Sequence, residues 1–243
     1  MIKLQRGVRP KYLTDKKVEE LTNTYKASQK SVWNKIQIKK PLSESSSEKC
    51  AYCESDLSAP STYMEVEHFL PKSKHEDLVV VWDNLLPSCK RCNGTKNDED
   101  ILKNPIINPY DRDPRKHFQF DYFYIFGSTQ LGVNTENTLN LNDETLFLKR
   151  CQVGGTARTN LVQISREYNE LTELNINNRK PFRAVLLAAQ PDRAYSAFVA
   201  TAIHTSKEYP LLKKRLIDEG LWTQELSDLD KVSSKLVLPV KNS

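Results

Sequence analysis

Lys49-Cys50-Ala51-Tyr52-Cys53 and Ser88-Cys89-Lys90-Arg91-Cys92-Asn93-Gly94-Thr95-Lys96 each carry a Cys-x-x-Cys pair, with 35 residues between Cys53 and Cys89. Four thiolates suffice to close a tetrahedral Zn²⁺ site and leave no open position for water. Cys50, Cys53, Cys89 and Cys92 therefore predict a structural zinc, with metal binding contributing to the free energy of folding. The enclosed segment is too long for a simple zinc ribbon, so the pairs are expected to pin the two ends of something folded between them. Cys151 stands apart and reads as a small buried hydrophobe.

The enclosed segment carries Glu65-Val66-Glu67-His68-Phe69-Leu70-Pro71-Lys72 and Trp82-Asp83-Asn84-Leu85-Leu86. Phosphodiester hydrolysis needs a deprotonated water in line with the leaving oxygen and a cation to neutralise charge at phosphorus. An imidazole can take the proton near neutral pH, which nominates His68. A carboxylate and a carboxamide oxygen are hard donors of the kind that Mg²⁺ accepts, which nominates Glu67 and Asn93.

Working outward, Tyr63 to Glu67 alternates as a strand that Pro71 ends. A second strand is expected at Leu78-Val79-Val80-Val81 or around Leu85-Leu86, and a short helix from Cys89 through Lys96. Upstream, Val18, Leu21, Tyr25, Val32, Trp33 and Ile36 recur at helical spacing from an N-cap at Asp15, as one long helix or two short ones. Pro41 is expected to stop this pattern, and Ser43 to Ser47 to form a flexible connection. Downstream, the period-two aromatics Phe118, Phe120 and Tyr122 predict a strand ended by Gly127. Residues 143–171 read as a helix interrupted at Gly154-Gly155, and 183–190, 192–206 and 208–219 as further helices, with a tail of undefined order from Leu226. His75, His117 and His204 have no ligand-like neighbours in sequence.

The 243-residue chain is 38% hydrophobic and 28% charged, enough for a core and expected of a soluble, cytoplasmic protein with no membrane partner. No apolar run approaches the roughly 18 residues that span a bilayer. The net charge of +5 is uneven: residues 1–49 hold twelve Lys or Arg against five Asp or Glu. A basic arm of this kind suits a polyanion or an acidic protein partner.

Taken together, Glu67-His68, the Asn84 of Trp-Asp-Asn-Leu, and Cys-Lys-Arg-Cys-Asn-Gly-Thr-Lys resemble the HNH endonucleases, whose core is the ββα-metal fold. Glu67 stands where that family usually has Asp or His, and Asn93 replaces its final His; both keep an oxygen donor and so favour Mg²⁺ or Mn²⁺ over a second zinc. The resemblance implies an α+β fold: a ββα-metal core with its structural four-cysteine zinc site, flanked by an N-terminal helix and a mainly helical C-terminal region. By the same resemblance His68 is the general base, Glu67 and Asn93 hold the divalent ion, and Asn84 orients the imidazole and its loop. Lys96 and Lys72 would meet phosphate oxygens, and the products would be a 5′-phosphate and a 3′-hydroxyl.

Ser-Val-Trp-Asn near Trp33, Val-Glu-His-Phe-Leu-Pro-Lys-Ser, Ile107-Asn-Pro-Tyr-Asp-Arg-Asp-Pro and Thr138-Leu-Asn-Leu-Asn142 are similar, more narrowly, to the HNH subunits of bacterial anti-phage Septu systems. That likeness implies an ABC-type ATPase partner, PtuA, and in retron versions a reverse transcriptase with its msDNA. The expected division is a basic arm at 1–42, the nuclease core at 43–104, a loop and aromatic extension at 105–142, and a helical region for partner docking at 143–243. Two rival readings stand beside the nuclease: a catalytically silent zinc module that binds nucleic acid, and a partner-docking scaffold. Mg²⁺-dependent strand scission separates both from the enzyme.

Overall fold

The structure, a computed structural model, describes residues 1–58, 63–121 and 123–241. The chain forms two compact units, one of residues 1–118 and 126–141, the other of 119–125 and 142–243.

In the first unit, β1 (Met64–His68) and β2 (Leu85–Cys89) pair antiparallel, with Glu67 opposite Leu86 and His68 opposite Leu85, and α3 (Lys90–Lys96) follows β2 directly. This is the strand, loop, strand, helix order expected of a ββα core. Of the two positions open for the second strand, the chain uses the later one. Val79 and Val80 instead bury their side chains in the loop, behind a 3₁₀ turn at Glu76–Leu78. All five residues of β2 are buried, including Pro87, whose carbonyl accepts from Ala51 N at 2.9 Å and so docks the first Cys-x-x-Cys loop against the strand.

Two helices precede the core. In α1 (Asp15–Ser28) the cap is Thr14, whose hydroxyl accepts from Lys17 N, and Asp15 is the first helical residue rather than the cap. Then α2 (Ile36–Glu44) runs through Pro41 instead of stopping there. A proline costs one hydrogen bond, and the buried i, i+4 pair Ile38 and Leu42 holds the short helix against the core. The serine run is ordered as well: Ser46 is buried, its hydroxyl donating to the Lys49 carbonyl at 2.7 Å and accepting from Lys49 N at 3.3 Å.

The aromatic segment is two short strands, β3 (Phe118–Asp121) and β4 (Tyr124–Gly127), forming a two-stranded sheet, and not one continuous strand. Phe123 between them has φ of 72°, which breaks any extended run. Tyr122, part of the expected alternation, lies outside the described residues. Next comes α4 (Gln130–Thr138), and in the first unit Thr135 accepts from Ile107 N at 2.8 Å, fixing the Ile-Asn-Pro-Tyr loop.

The second unit is helical: α5 (Glu144–Glu170), α6 (Arg179–Ala188), α7 (Ser196–His204), α8 (Glu208–Asp218) and α9 (Gln224–Ser234). The glycine pair does not interrupt α5. A side chain at Gly154 would stand 2.2 Å from the Phe123 ring, so this glycine admits a close aromatic contact and the helix continues. Leu161, Phe182, Leu186, Leu212 and Leu216 form the centre of the core, and α9 adds Leu226 from the tail that the sequence leaves undefined. No helix among the described residues is long and apolar enough to cross a membrane.

Candidate active site and metal centre

The four cysteines of the two pairs are buried, unoxidised, and arranged so that their sulfurs all lie within 4.8 Å of one another. Cys89 ends β2 and caps α3, its sulfur accepting from Cys92 N at 3.4 Å. Backbone and sulfur geometry thus converge on one centre. The thiols of Cys50, Cys53 and Cys92 donate toward Cys89 and hold it well below the ordinary thiol value. Arg91 brings its guanidinium within 3.5 Å of Cys92 Sγ while also donating to the Leu139 carbonyl. Four convergent sulfurs able to share negative charge fit a tetrahedral metal ion.

Beside this centre the cleft begins. His68 ends β1 with its imidazole Nε2 2.9 Å from the Val79 carbonyl. A carbonyl only accepts, so Nε2 carries the proton and the neutral ring keeps its lone pair on Nδ1. Burial pushes the imidazole down to about 4, and the charges of Lys72 and Lys96 push the same way. The ring is therefore neutral at pH 7. Trp33 packs edge-on against it, with centroids 4.6 Å apart and planes at 82°, and the Lys72 ammonium lies 5.6 Å from the centre of the same indole.

Asn84 is buried and fully bonded to the loop between the strands. Its Oδ1 accepts from Leu70 N at 2.7 Å and its Nδ2 donates to the Leu70 and Leu78 carbonyls at 3.1 and 3.2 Å. One side chain ties together both ends of the loop that carries Val79, the residue that holds His68.

Glu67 and Asn93, the two expected oxygen donors, each have a different partner. Glu67 Oε1 is 2.7 Å from Lys96 Nζ, both side chains being shut off from water, and Lys96 also donates to the His68 carbonyl at 3.0 Å. Burial pushes the Glu67 carboxyl up to about 7 against the pull of that ammonium. Asn93 Nδ2 donates not to Glu67 but to Glu65 Oε2, at 2.6 Å.

A cleft of about 420 Å³ gathers Glu65, Glu67, His68, Lys72, Asn93 and Trp33. Asn84 and Lys96 do not line it. Lys96, expected against phosphate, is 1% exposed and committed to Glu67 and His68 because α3 packs its last turn onto β1. Lys72, half-buried, lines the cleft, as does Lys39 from α2.

Comparison with known proteins gives the setting of this geometry. The chain is 38% identical to the Septu protein PtuB of Bacillus thuringiensis, over 93% of its own length and 90% of that protein's. The chain belongs to the PtuB family. A second PtuB, from Bacillus mycoides, is 30% identical over 34% of this chain and 38% of its own. The HNH endonuclease family profile matches residues 50–99, the span that holds the sulfur centre and the cleft residues from β1 and α3. No solved structure matches.

In this PtuB-family chain, motif reasoning passed over Glu65 and left Trp33 without a role in the site. Period-two alternation places Glu65 on the same face of β1 as Glu67, and that signal was available. The approach of Trp33 to His68 depends on how the segment after α1 folds back, which no local pattern contains.

Proposed function

We propose that this chain is the HNH nuclease subunit of a Septu anti-phage system and hydrolyses nucleic-acid phosphodiesters in the cytoplasm. The observation that carries the reading is the His68 imidazole, held through Nε2 by the Val79 carbonyl and lining one cleft with Glu67 and Asn93. The sulfur centre suits a structural Zn²⁺, which would hold both ends of the ββα core together.

The oxygens of Glu67 and Asn93 are hard donors that fit Mg²⁺ or Mn²⁺, and such an ion, once bound, supplies the positive charge that phosphoryl transfer requires. His68 Nδ1 takes a proton from the attacking water. The new P–O bond forms as the bond to the 3′ oxygen breaks; that oxygen takes a proton from solvent water, and His68 returns its own proton to solvent, leaving a 3′-hydroxyl and a 5′-phosphate. Burial is the main cause of the low His68 value; the phosphodiester anion offsets the smaller part that comes from Lys72 and Lys96 and raises the basicity to that extent. Lys72 meets a phosphate oxygen, and Asn84 keeps the loop and imidazole aligned.

The helical region from residue 143 is proposed as the docking surface for the ABC-type ATPase PtuA, and in retron-borne versions for a reverse transcriptase with its msDNA. The test is to incubate the purified chain, alone and with the ATPase, with DNA and RNA in Mg²⁺ and in EDTA. Scission that depends on Mg²⁺ supports the reading. Binding with no scission in any arm supports the silent module instead.

A further inference from the structure

Glu65 lines the cleft, stands on the same face of β1 as Glu67, and accepts a 2.6 Å hydrogen bond from Asn93 Nδ2. A carboxamide has two ends of opposite polarity, and rotating it by a half-turn exchanges them at almost no steric cost. An ionised carboxylate only accepts, so this contact forms only with the NH₂ end of Asn93 toward Glu65. The amide oxygen is then turned the other way, and among the described residues Asn93 Oδ1 has no hydrogen-bond partner. Were the amide reversed, its NH₂ would take the side away from Glu65, where a cation could not use it, and the oxygen would face a carboxylate.

We infer that Glu65 is the positioning residue of the divalent-cation site: it holds the Asn93 carboxamide with its oxygen available to Mg²⁺ or Mn²⁺, and adds negative charge beside Glu67. This rests on the nuclease reading, in which Glu67 and Asn93 are the donors. Glu65 itself is not a donor, because the oxygen nearest Asn93 is engaged in orienting it. Partners that orient a metal's ligands in this way commonly govern its affinity.

The experiment measures Mn²⁺ affinity by electron paramagnetic resonance on the full chain, with zinc content and melting temperature recorded for each variant. Four variants are compared with the parent: Glu65→Gln, Glu67→Gln, Asn93→Asp, and Glu65→Gln with Asn93→Asp. A glutamine at 65 can donate as well as accept, so it no longer selects one amide orientation, and Mn²⁺ affinity is expected to fall about 10- to 100-fold with zinc and melting unchanged. An aspartate at 93 has two equivalent oxygens and needs no orienting, so the double variant is expected to recover most of that loss. Asn93→Asp alone sets two carboxylates against each other and is expected to bind Mn²⁺ less tightly than the double variant. Glu65→Gln with parental Mn²⁺ affinity, while Glu67→Gln loses it, overturns the inference and leaves the nuclease reading standing. A double variant as weak as Glu65→Gln overturns it by making Glu65 a direct ligand, and early melting with loss of zinc in Glu65→Gln overturns it by making the contact part of the fold. A parent chain that neither binds Mn²⁺ nor cuts nucleic acid removes the nuclease reading and this inference together.

Discussion

Lys96 Nζ and Glu67 Oε1 stand 2.7 Å apart, and neither side chain reaches water. The last turn of α3 and the end of β1 are thus joined by an ion pair at the back of the cleft, and the same ammonium holds the His68 carbonyl. The carboxylate proposed to bind a cation is therefore already positioned and partly neutralised before any ion arrives.

Above pH 7, where Glu67 is ionised, removing one partner of such a pair leaves the other as an uncompensated buried charge, which costs up to about 3–5 kcal/mol. Lys96→Ala is expected to lose stability on that scale in urea denaturation. A surface lysine that only contacted phosphate would change stability by a few tenths of a kcal/mol.

The pH dependence follows from two buried groups that oppose each other. Glu67 is raised from 4.5 to about 7, so its contribution is complete below 4.5 and is lost as pH rises through 7. His68 is lowered from 6.5 to about 4, so its contribution is complete above 6.5 and is lost as pH falls through 4. Between about 4.5 and 6.5 the slopes are opposite and offset one another. Without added Mg²⁺, stability of the parent chain should be nearly flat there. His68→Ala should lose about 3 kcal/mol as pH rises from 4.5 to 7, and Glu67→Gln about as much as pH falls from 6.5 to 4. Equilibrium unfolding across that range reads both slopes.

Gly94 lies in the interior of α3, lines the cleft beside Asn93, and would carry a Cβ that meets nothing within 4 Å. The protein's own packing does not require glycine there, and glycine costs a helix about 1 kcal/mol relative to alanine. Gly94→Ala should raise the melting temperature while weakening nucleic-acid binding and cleavage if, as proposed, a sugar-phosphate backbone enters the cleft over this residue. Equal or better cleavage by this variant would count against that path.

The sulfur centre and the cleft should come apart under mutation. Cys89→Ser is expected to lower zinc content and thermal stability together; a serine hydroxyl can still cap α3, so the loss reports the proposed metal centre. Metal analysis paired with calorimetry reads both quantities on one sample.

The strand, loop, strand, helix order was legible from the alternation around Glu67 and the residues that bound it, because strand pleat acts locally, and the resemblance to HNH endonucleases identified that order as a ββα core. The position of β2 was left open between Leu78–Val81 and Leu85–Leu86, and pairing with β1 selects the latter. Likewise, α5 continues through Gly154 because the Phe123 ring fills the space, a contact 31 residues distant in sequence. Within the site, His68, Glu67 and Asn93 were legible as chemical types. Which partner each would take was not: the Asn93 amide turns to Glu65, and Lys96 turns inward to Glu67, because α3 lies across β1.

The most direct measurement is Mg²⁺-dependent cleavage by His68→Ala beside the parent chain, in the presence of the ATPase, on samples matched for zinc content and melting temperature. The proposed base, held by the Val79 carbonyl and lining the cleft, predicts that the variant binds nucleic acid and retains its zinc but no longer cuts. Cleavage by His68→Ala at the parental rate would contradict the account.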